Sequence, residues 1–288
     1  MKLENKFLKV EINELGAEIT RVYDKENDTE IIWEANPKFW KRHSPVLFPN
    51  VGKNYKNQVL INGKKYETSQ HGFARDSIFK CINQCGNSVE YMITANNETK
   101  KVYPFEFELI VGYELKEKEI IVTWQVNNKD SQPIYFTIGA HPAYRFKDGD
   151  KKEDYILMFN KKDSLEYMFL DSEYGTAINS KKYQLPLDNG KYQLNEKIFE
   201  NDALILDDGQ VEEVWLCYKD GTKRAGMKCD GFPNFGIWSV KDAPFVCLEP
   251  WMGRCDNTGF EDELSTKDNV NKVEQGKTFK QSYSIIVA

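Results

Sequence analysis

The sequence predicts an all-β fold with very little helix. Short runs rich in Val, Ile, Phe, Tyr and Trp recur at roughly ten-residue spacing with turn signals between them, a pattern typical of an antiparallel sandwich. Apolar residues at helical spacing are almost absent. No linker or internal repeat interrupts the 288 residues, and all-β sandwiches often reach this size as one unit. We therefore expect a single domain that spans residues 1–288.

Turn and strand signals follow one another along the first half of the chain. Residues 36–40 are expected to make one helical turn, and Asn62-Gly63 marks a hairpin because both residues accept the positive φ of a tight two-residue turn. The clearest strand covers residues 119–126, where apolar side chains recur at period two. It is expected to pair with residues 107–115 across the turn at 116–118.

The second half of the chain continues the pattern with longer polar stretches. Residues 147–154 mix both signs of charge, as a solvated loop would. Residues 171–195 are polar enough to be read as a long surface connection. Asp220-Gly221 marks another hairpin between strand-like segments.

The composition is that of an ordinary globular protein and excludes several classes of function. The net charge of -6 and the pI near 5.4 disfavour a nucleic-acid binder, which usually carries a basic face. The N-terminus has no apolar stretch long enough for a signal peptide, and no later segment is long enough to span a membrane. We therefore expect a cytoplasmic protein with no nucleic-acid or membrane partner. The sequence leaves the oligomeric state open, and a homodimer is one of the alternatives.

The cysteines predict neither a disulfide framework nor a zinc site. They show no C-x-x-C spacing, and several lie in apolar runs where cysteine acts as a small hydrophobic residue. Residues 147–154 also lack the glycine and the terminal glutamate of a calcium loop. We expect no metal and no organic cofactor. The cysteines are Cys81, Cys85, Cys217, Cys229, Cys247 and Cys255.

Two of the three histidines stand where a site could be built. His141 ends an apolar strand-like run and precedes a proline, which favours an extended backbone at the strand end. His71 lies in a glycine-containing loop. Either residue could instead be a buried histidine bonded to a backbone carbonyl, and the residues alone do not decide between these interpretations. His43 reads as a solvated residue.

Two acidic residues are candidates for the same site. Glu249 shares a strand face with Phe245 and Cys247, so its carboxylate would be desolvated and would become a better proton acceptor near neutral pH. The alternative is an edge carboxylate paired with Arg254. Asp202 begins another apolar run, where it could accept hydrogen bonds from sugar hydroxyls or simply stabilise a turn.

Several short motifs, taken together, resemble the aldose 1-epimerase family in order and spacing. The likeness spans most of the chain and is strongest to the shorter bacterial members associated with lactose-utilisation operons. The motifs are Phe48-Pro49-Asn50-Val51-Gly52, Gln70-His71-Gly72-Phe73-Ala74-Arg75, Gly139-Ala140-His141-Pro142, Asn201-Asp202-Ala203-Leu204 and Leu248-Glu249-Pro250-Trp251.

The resemblance implies a galactose mutarotase-like β-supersandwich of mostly antiparallel strands that binds a monosaccharide and needs no cofactor. In the family, the glutamate matching Glu249 removes the proton of the anomeric hydroxyl, and the histidine matching His141 protonates the ring oxygen. His71 would bind the sugar near the ring oxygen, and Asp202 would hold other hydroxyls. The implied function is aldose 1-epimerase (mutarotase) activity, which interconverts the α and β anomers of a hexose.

Other residues near these motifs are further candidates for substrate binding. Phe73, Tyr144 and Trp251 could stack on the apolar face of a pyranose, and all three could equally belong to the core. Lys53 stands where the best-characterised family members carry an arginine that contacts substrate, and a lysine offers a point charge instead of a planar fork.

The motif that contains Arg75 also occurs in hexose-6-phosphate 1-epimerases, so a phosphorylated substrate is an alternative. A free hexose is the expected substrate. The alternatives are a hexose 6-phosphate epimerase and a carbohydrate-binding or regulatory protein without activity.

Overall fold

The computed structural model describes residues 1–288, and strands make up almost all of its regular structure. The one α-helix, α1, covers Thr99–Val102, and no helix is long and apolar enough to cross a bilayer. Five short 3₁₀ turns lie at Tyr55–Asn57, Ala74–Asp76, Lys152–Asp154, Glu196–Phe199 and Leu264–Thr266. The all-β prediction is confirmed.

Twenty-five strands follow one another along the chain. They are β1 Lys2–Glu4, β2 Leu8–Ile12, β3 Ile19–Asp24, β4 Thr29–Glu30, β5 Val46–Leu47, β6 Gln58–Ile61, β7 Lys64–Glu67, β8 Lys80–Cys85, β9 Ser88–Thr94, β10 Phe107–Lys116, β11 Glu119–Asn128, β12 Ile134–Phe136, β13 Ile138–Ala140, β14 Ala143–Arg145, β15 Tyr155–Phe159, β16 Ser164–Tyr167, β17 Tyr183–Pro186, β18 Lys191–Gln193, β19 Leu204–Leu206, β20 Glu213–Tyr218, β21 Lys223–Lys228, β22 Asn234–Trp238, β23 Phe245–Met252, β24 Asn271–Val273 and β25 Thr278–Val287.

A nine-stranded antiparallel sheet has the order β18-β15-β20-β21-β25-β11-β10-β9-β8. It contains the hairpin of β10 and β11, in which Lys116 pairs with Glu119 across a turn that places Glu117 at a φ of 54°. Every second residue of β11 is buried, as the alternation in its sequence predicts. The predicted pairing of these two segments is confirmed.

A six-stranded sheet carries the candidate site. Its order is β19-β22-β23-β13-β5, and β14 pairs with another part of β23. The side chains of Val246 and Leu248 on β23 join the same large apolar cluster as Val122 and Trp124 of β11, so the two sheets share one core. The opposite face of β23 is also buried, although it contacts smaller clusters and the site described below.

The turn predictions have mixed outcomes. Asn62-Gly63 joins β6 to β7 with both residues at positive φ, and Asp220-Gly221 lies between β20 and β21, so both hairpins are confirmed. Residues 36–40 form a hydrogen-bonded turn outside any helix. The surface connection predicted at 171–195 is wrong in its second half, because that part contains β17 and β18, which pair with β16 and β15. The large apolar cluster includes both Leu3 and Val287, and a single domain over residues 1–288 stays a prediction.

Candidate active site

A cavity of about 230 Å³ lies on the outer face of the six-stranded sheet. Its wall combines ionisable side chains with several aromatic ones, which is the usual composition of a small-molecule site. The lining residues are Trp40, Val51, Gly52, Gln70, His71, Arg75, His141, Leu170, Gly175, Asp202, Ala203, Ile205, Trp238, Glu249, Trp251 and Cys255. The sequence had singled out six of them as site residues: His71, Arg75, His141, Asp202, Glu249 and Trp251.

Glu249 reaches the cavity from the middle of β23. Period-two alternation places its side chain on the face opposite Val246 and Leu248, between Cys247 and Trp251. The carboxyl is almost completely buried. The alternative partner, Arg254, is bound to Asp207 with Nε 2.8 Å from Oδ1, so Glu249 is not an edge carboxylate paired with that arginine.

His141 follows β13 and faces Glu249 across the sheet. Its Nε2 lies 3.3 Å from Glu249 Oε1. The indole of Trp40 stacks on the imidazole with ring centroids 4.7 Å apart, and the indole of Trp238 meets it edge-on at 5.3 Å. These two rings hold the imidazole plane, so the contact between His141 and Glu249 is defined by packing as well as by charge.

Burial shapes the electrostatics of this pair. Loss of solvation raises the pKa of the Glu249 carboxyl well above its ordinary value, and the charge of Asp202 adds to that rise. Loss of solvation lowers the pKa of His141, and the positive charges of Arg75 and Arg42 lower it further. Each group alone therefore resists ionisation. Together they are best satisfied by one proton that both share, with no net charge on the pair.

His71 enters the cavity as a neutral donor. The backbone N–H of Gly52 donates to His71 Nδ1 at 3.0 Å, which leaves the proton of a neutral imidazole on Nε2. Burial lowers the pKa of His71 well below its usual range, so the neutral form persists. The residue sits at a φ of 67°, next to Gly72, where an added Cβ would lie only 2.2 Å from the carbonyl oxygen of Phe48.

Trp251 lies flat on the sheet because two neighbouring strands carry glycine beneath it. A Cβ added to Gly139 on β13 or to Gly236 on β22 would come within 2.4 or 2.3 Å of the indole. The ring therefore occupies a slot that only glycine leaves open. Its Nε1 is buried and has no hydrogen-bond partner in the protein, so it is free to donate to a molecule in the cavity.

Asp202 and Arg75 occupy different parts of the wall. Asp202 is exposed and has a φ of 70° in the turn before β19. Arg75 donates from Nη2 to the carbonyl oxygen of Gln70 at 2.7 Å, whereas its Nε lies 3.7 Å from Asp76 and has no hydrogen-bond partner. Burial lowers the pKa of the Arg75 guanidinium to about 10, so it stays charged at neutral pH.

Three other predicted contacts lie elsewhere. Tyr144 pairs with Val246 in the register of β14 and β23, so its ring enters the main core and its hydroxyl donates to the carbonyl oxygen of Gly226 at 2.8 Å. Phe73 packs against the rings of Phe48 and Phe107. Of the two alternatives given for Tyr144 and Phe73, the structure therefore favours a place in the core over stacking on a sugar. Lys53 is not part of the wall, because its side chain runs beside Gly175 at the edge of the cavity.

Comparison with known proteins gives a consistent result. The model of the family described as aldose 1-epimerase matches residues 1–225. A protein named LacX from Lactococcus lactis subsp. lactis is 31% identical over 297 aligned positions, which cover 100% of this chain and 99% of that protein. The chain belongs to the aldose 1-epimerase family.

Solved structures support the same family and fold. A galactose mutarotase related enzyme from Lactobacillus acidophilus is 32% identical, with a TM-score of 0.94 and coverage of 100% of this chain and 97% of the other. A galactose mutarotase-like protein from Lactobacillus casei is 28% identical, with a TM-score of 0.93 and coverage of 100% and 99%. The predicted galactose mutarotase-like fold is confirmed.

The match to the aldose 1-epimerase family model ends before Glu249, and the structure places this residue in one cavity with His71 and His141 of the matched segment. The sequence analysis missed Trp40 and Trp238, which both contact His141. Nothing in the local sequence of either residue pointed to a histidine from another strand. It also missed that Cys247 joins His141 and Glu249 in a buried group whose ligand atoms all lie within 4.8 Å of one another.

Proposed function

We propose that the protein is an aldose 1-epimerase that interconverts the α and β anomers of a hexose by acid/base ring opening and reclosure. The proposal rests on the 3.3 Å contact between His141 Nε2 and Glu249 Oε1 in the wall of this cavity. At about 230 Å³ this cavity is smaller than the usual pocket for a drug-sized ligand, which suits a single sugar ring.

The reaction needs a base and an acid next to each other, because the two oxygens involved are attached to the same carbon. Glu249 accepts the proton of the anomeric hydroxyl while the carbon–oxygen double bond forms. The bond from the anomeric carbon to the ring oxygen breaks, and His141 donates its proton to that oxygen. Rotation about the bond between the first two carbons and closure on the other face, with the roles reversed, give the other anomer.

The shared proton explains why one buried pair can perform both half-reactions. Before ring opening the proton lies on His141, and afterwards a proton lies on Glu249, so the charge of the pair is zero at both stages. Burial lowers the pKa of His141 and raises that of Glu249, which favours the state with the proton on Glu249 more than water does. His71 Nε2 and Trp251 Nε1 are donors for sugar oxygens, and Asp202 is an acceptor for hydroxyls at the opposite wall.

Hexose 6-phosphate is the second candidate substrate, and the partly unpaired guanidinium of Arg75 favours it. A phosphate clamp normally uses several charge-assisted hydrogen bonds. Arg75 is the only lysine or arginine in the wall, and Lys53 lies at its edge beside Gly175. We therefore propose the free hexose as the preferred substrate.

Exchange NMR of the anomeric protons tests the proposal directly. Glucose, galactose and glucose 6-phosphate are measured with the wild-type protein and with Glu249→Gln, which keeps the shape and one acceptor oxygen. The wild type should speed up interconversion, most of all for a free hexose, and Glu249→Gln should lose about 10² to 10⁴-fold of the rate. Residual activity within a few-fold of wild type would remove Glu249 from the mechanism.

A matched control is Glu18→Gln, because Glu18 is another buried glutamate beside a histidine, with Oε1 3.8 Å from His43 Nδ1, and it lies outside the cavity. This variant should keep its rate. A protein that binds hexoses but speeds up no anomer exchange would be a carbohydrate-binding protein on this fold. A preference of about tenfold for the 6-phosphate that disappears in Arg75→Gln would identify the phosphorylated substrate instead.

A further inference from the structure

A cysteine that the proposed reaction does not use lies directly beside the acid and the base. Cys247 precedes Glu249 by two positions on β23, so both side chains point to the same face of the strand. His141 comes from the neighbouring strand end. His141, Cys247 and Glu249 are all buried, and one ligand atom of each lies within 4.8 Å of the other two.

The spacing is close to that of a tetrahedral zinc site. With the usual bond lengths to nitrogen, oxygen and sulfur, the ligands of such a site lie about 3.3 to 3.6 Å apart. The separation of 3.3 Å between His141 Nε2 and Glu249 Oε1 already meets this requirement. The Cys247 sulfur lies at most 4.8 Å from the other two ligand atoms, so it needs to move inward by about 1.2 Å at most to reach this range. The fourth position would face the cavity, where a water or a sugar oxygen can complete the shell.

The charge of the donor set also fits a divalent cation. A thiolate and a carboxylate together neutralise two positive charges, which removes the main cost of burying the ion. Burial raises the pKa of the Cys247 thiol well above its usual value, so the thiol keeps its proton until a metal replaces it. Binding would release two protons, one from the thiol and the one shared by His141 and Glu249. A soft sulfur ligand favours zinc or cadmium over magnesium or calcium.

The surroundings of these three residues favour reversible metal binding over a permanently occupied structural metal site. The ring nitrogen of His141 that faces away from Glu249, Nδ1, is buried without a hydrogen-bond partner. Tightly held zinc usually has histidine ligands whose second nitrogen donates to a carbonyl or a carboxylate. Occupancy would take up the lone pairs on His141 and Glu249 that the proton transfers need.

We propose that His141, Cys247 and Glu249 form an inhibitory site for a thiophilic divalent cation such as Zn²⁺, and that bound metal stops sugar turnover. The inhibition part rests on the proposed epimerase activity, whereas the binding part does not. Cys247 gives the site its preference for such metals and takes no part in the proton transfers.

The binding test uses Cd²⁺, whose bond to a thiolate gives an ultraviolet charge-transfer band. Chelator-treated wild-type protein should show this band with one cadmium bound per chain, and Cys247→Ala should lose it. Cys217→Ala is the matched control, because Cys217 is also buried on a strand but lies in the nine-stranded sheet. A band that is absent in the wild type, or that persists in Cys247→Ala, overturns the site.

The activity test repeats the exchange NMR measurement with increasing Zn²⁺ and, separately, Mg²⁺. Zn²⁺ should inhibit both the wild type and Cys217→Ala. The Cys247→Ala variant should still turn over sugar and should need at least tenfold more Zn²⁺ for the same inhibition. Mg²⁺ should have no effect at the same concentrations. Equal zinc sensitivity of the wild type and Cys247→Ala overturns the proposed regulation. If the protein speeds up no anomer exchange, the proposed function fails, and the cadmium band still decides whether the metal site exists.

Discussion

Two groups of buried polar residues differ in their hydrogen bonding. One lies in the cavity around Glu249 of β23, and the other lies around Arg254 and Asp256, shortly after that strand. In the cavity, Trp251 Nε1 and His141 Nδ1 are buried without hydrogen-bond partners, and Glu249 Oε1 lies 3.3 Å from His141 Nε2. A few residues later, Arg254 and Asp207 make a two-pronged ion pair, and Asp207 also accepts from Asn234 at 2.7 Å.

The second group continues with Asp256, which has a partner for each oxygen. Lys267 Nζ lies 2.7 Å from Oδ1, and the backbone N–H of Tyr55 donates to Oδ2 at 2.8 Å. Buried polar groups are normally paired in this way, and those that are not usually have a functional reason. The comparison therefore indicates a stabilising role for the Arg254 and Asp256 pairs and supports the proposed catalytic role of Glu249 and His141.

The largest expected effect comes from breaking the cavity pair. His141→Asn removes the acid, and we expect kcat/KM for anomer exchange to fall by about 10² to 10⁴-fold while the melting temperature changes little. The control is His43→Asn, because His43 also faces a glutamate but lies outside the cavity. If the two variants were equally active by exchange NMR, the assignment of chemistry to His141 would be refuted.

Breaking the paired group should affect stability instead of activity. Lys267→Met leaves Asp256 charged and buried without its cation, which should cost about 3 to 5 kcal/mol of unfolding free energy. Urea unfolding followed by tryptophan fluorescence measures this change. Under conditions where Lys267→Met is folded, its kcat/KM should stay within a few-fold of the wild-type value.

Lys272→Met is the matched surface control, since Lys272 pairs with Glu274 while both side chains are more than half exposed. It should cost less than about 1 kcal/mol. A similar loss in both variants would show that burial does not distinguish the two pairs.

The packing around His141 should have a smaller effect on activity. Trp40→Ala removes the ring that stacks on the imidazole, and a misplacement of about 1 Å at a catalytic group can cost up to about 10²-fold in rate. Trp40→Phe keeps a stacking surface and should recover most of kcat/KM. Unchanged kinetics in Trp40→Ala would mean that other contacts suffice to orient His141.

The smallest expected effect is that of chelation. The proposed steps are proton transfers, so exhaustive treatment with EDTA should not lower the rate of anomer exchange. Loss of activity that an added divalent ion restores would contradict both the acid/base assignment and the inhibitory role of the metal site.

The sequence by itself determined the strand pattern and several turns. Alternation in β11 needs only the local residue order, because one face of a strand is buried and the other is not. Asn62-Gly63 specifies its hairpin through the φ values that these residues tolerate. The motifs around His71, His141, Asp202 and Glu249 likewise identified the family to which the chain belongs.

Local patterns could not assign every side chain to a face. Both faces of β23 are buried, so alternation alone could not tell whether a neighbour of that strand points to the core or to the cavity. Tyr144 points to the core because it pairs with Val246 in the register of β14 and β23, and that register depends on the whole sheet.

Only the tertiary structure decided which groups meet. Trp40, His141 and the β23 residues Cys247 and Glu249 come from three segments far apart in the chain, and their contacts depend on how β13 and β23 align in one sheet and on where the loop with Trp40 lies. The 3.3 Å between His141 and Glu249 follows from that packing, as does the burial that raises the pKa of one group and lowers that of the other. Residue order specifies which chemical groups are present, whereas distance and desolvation arise only when the chain folds around them.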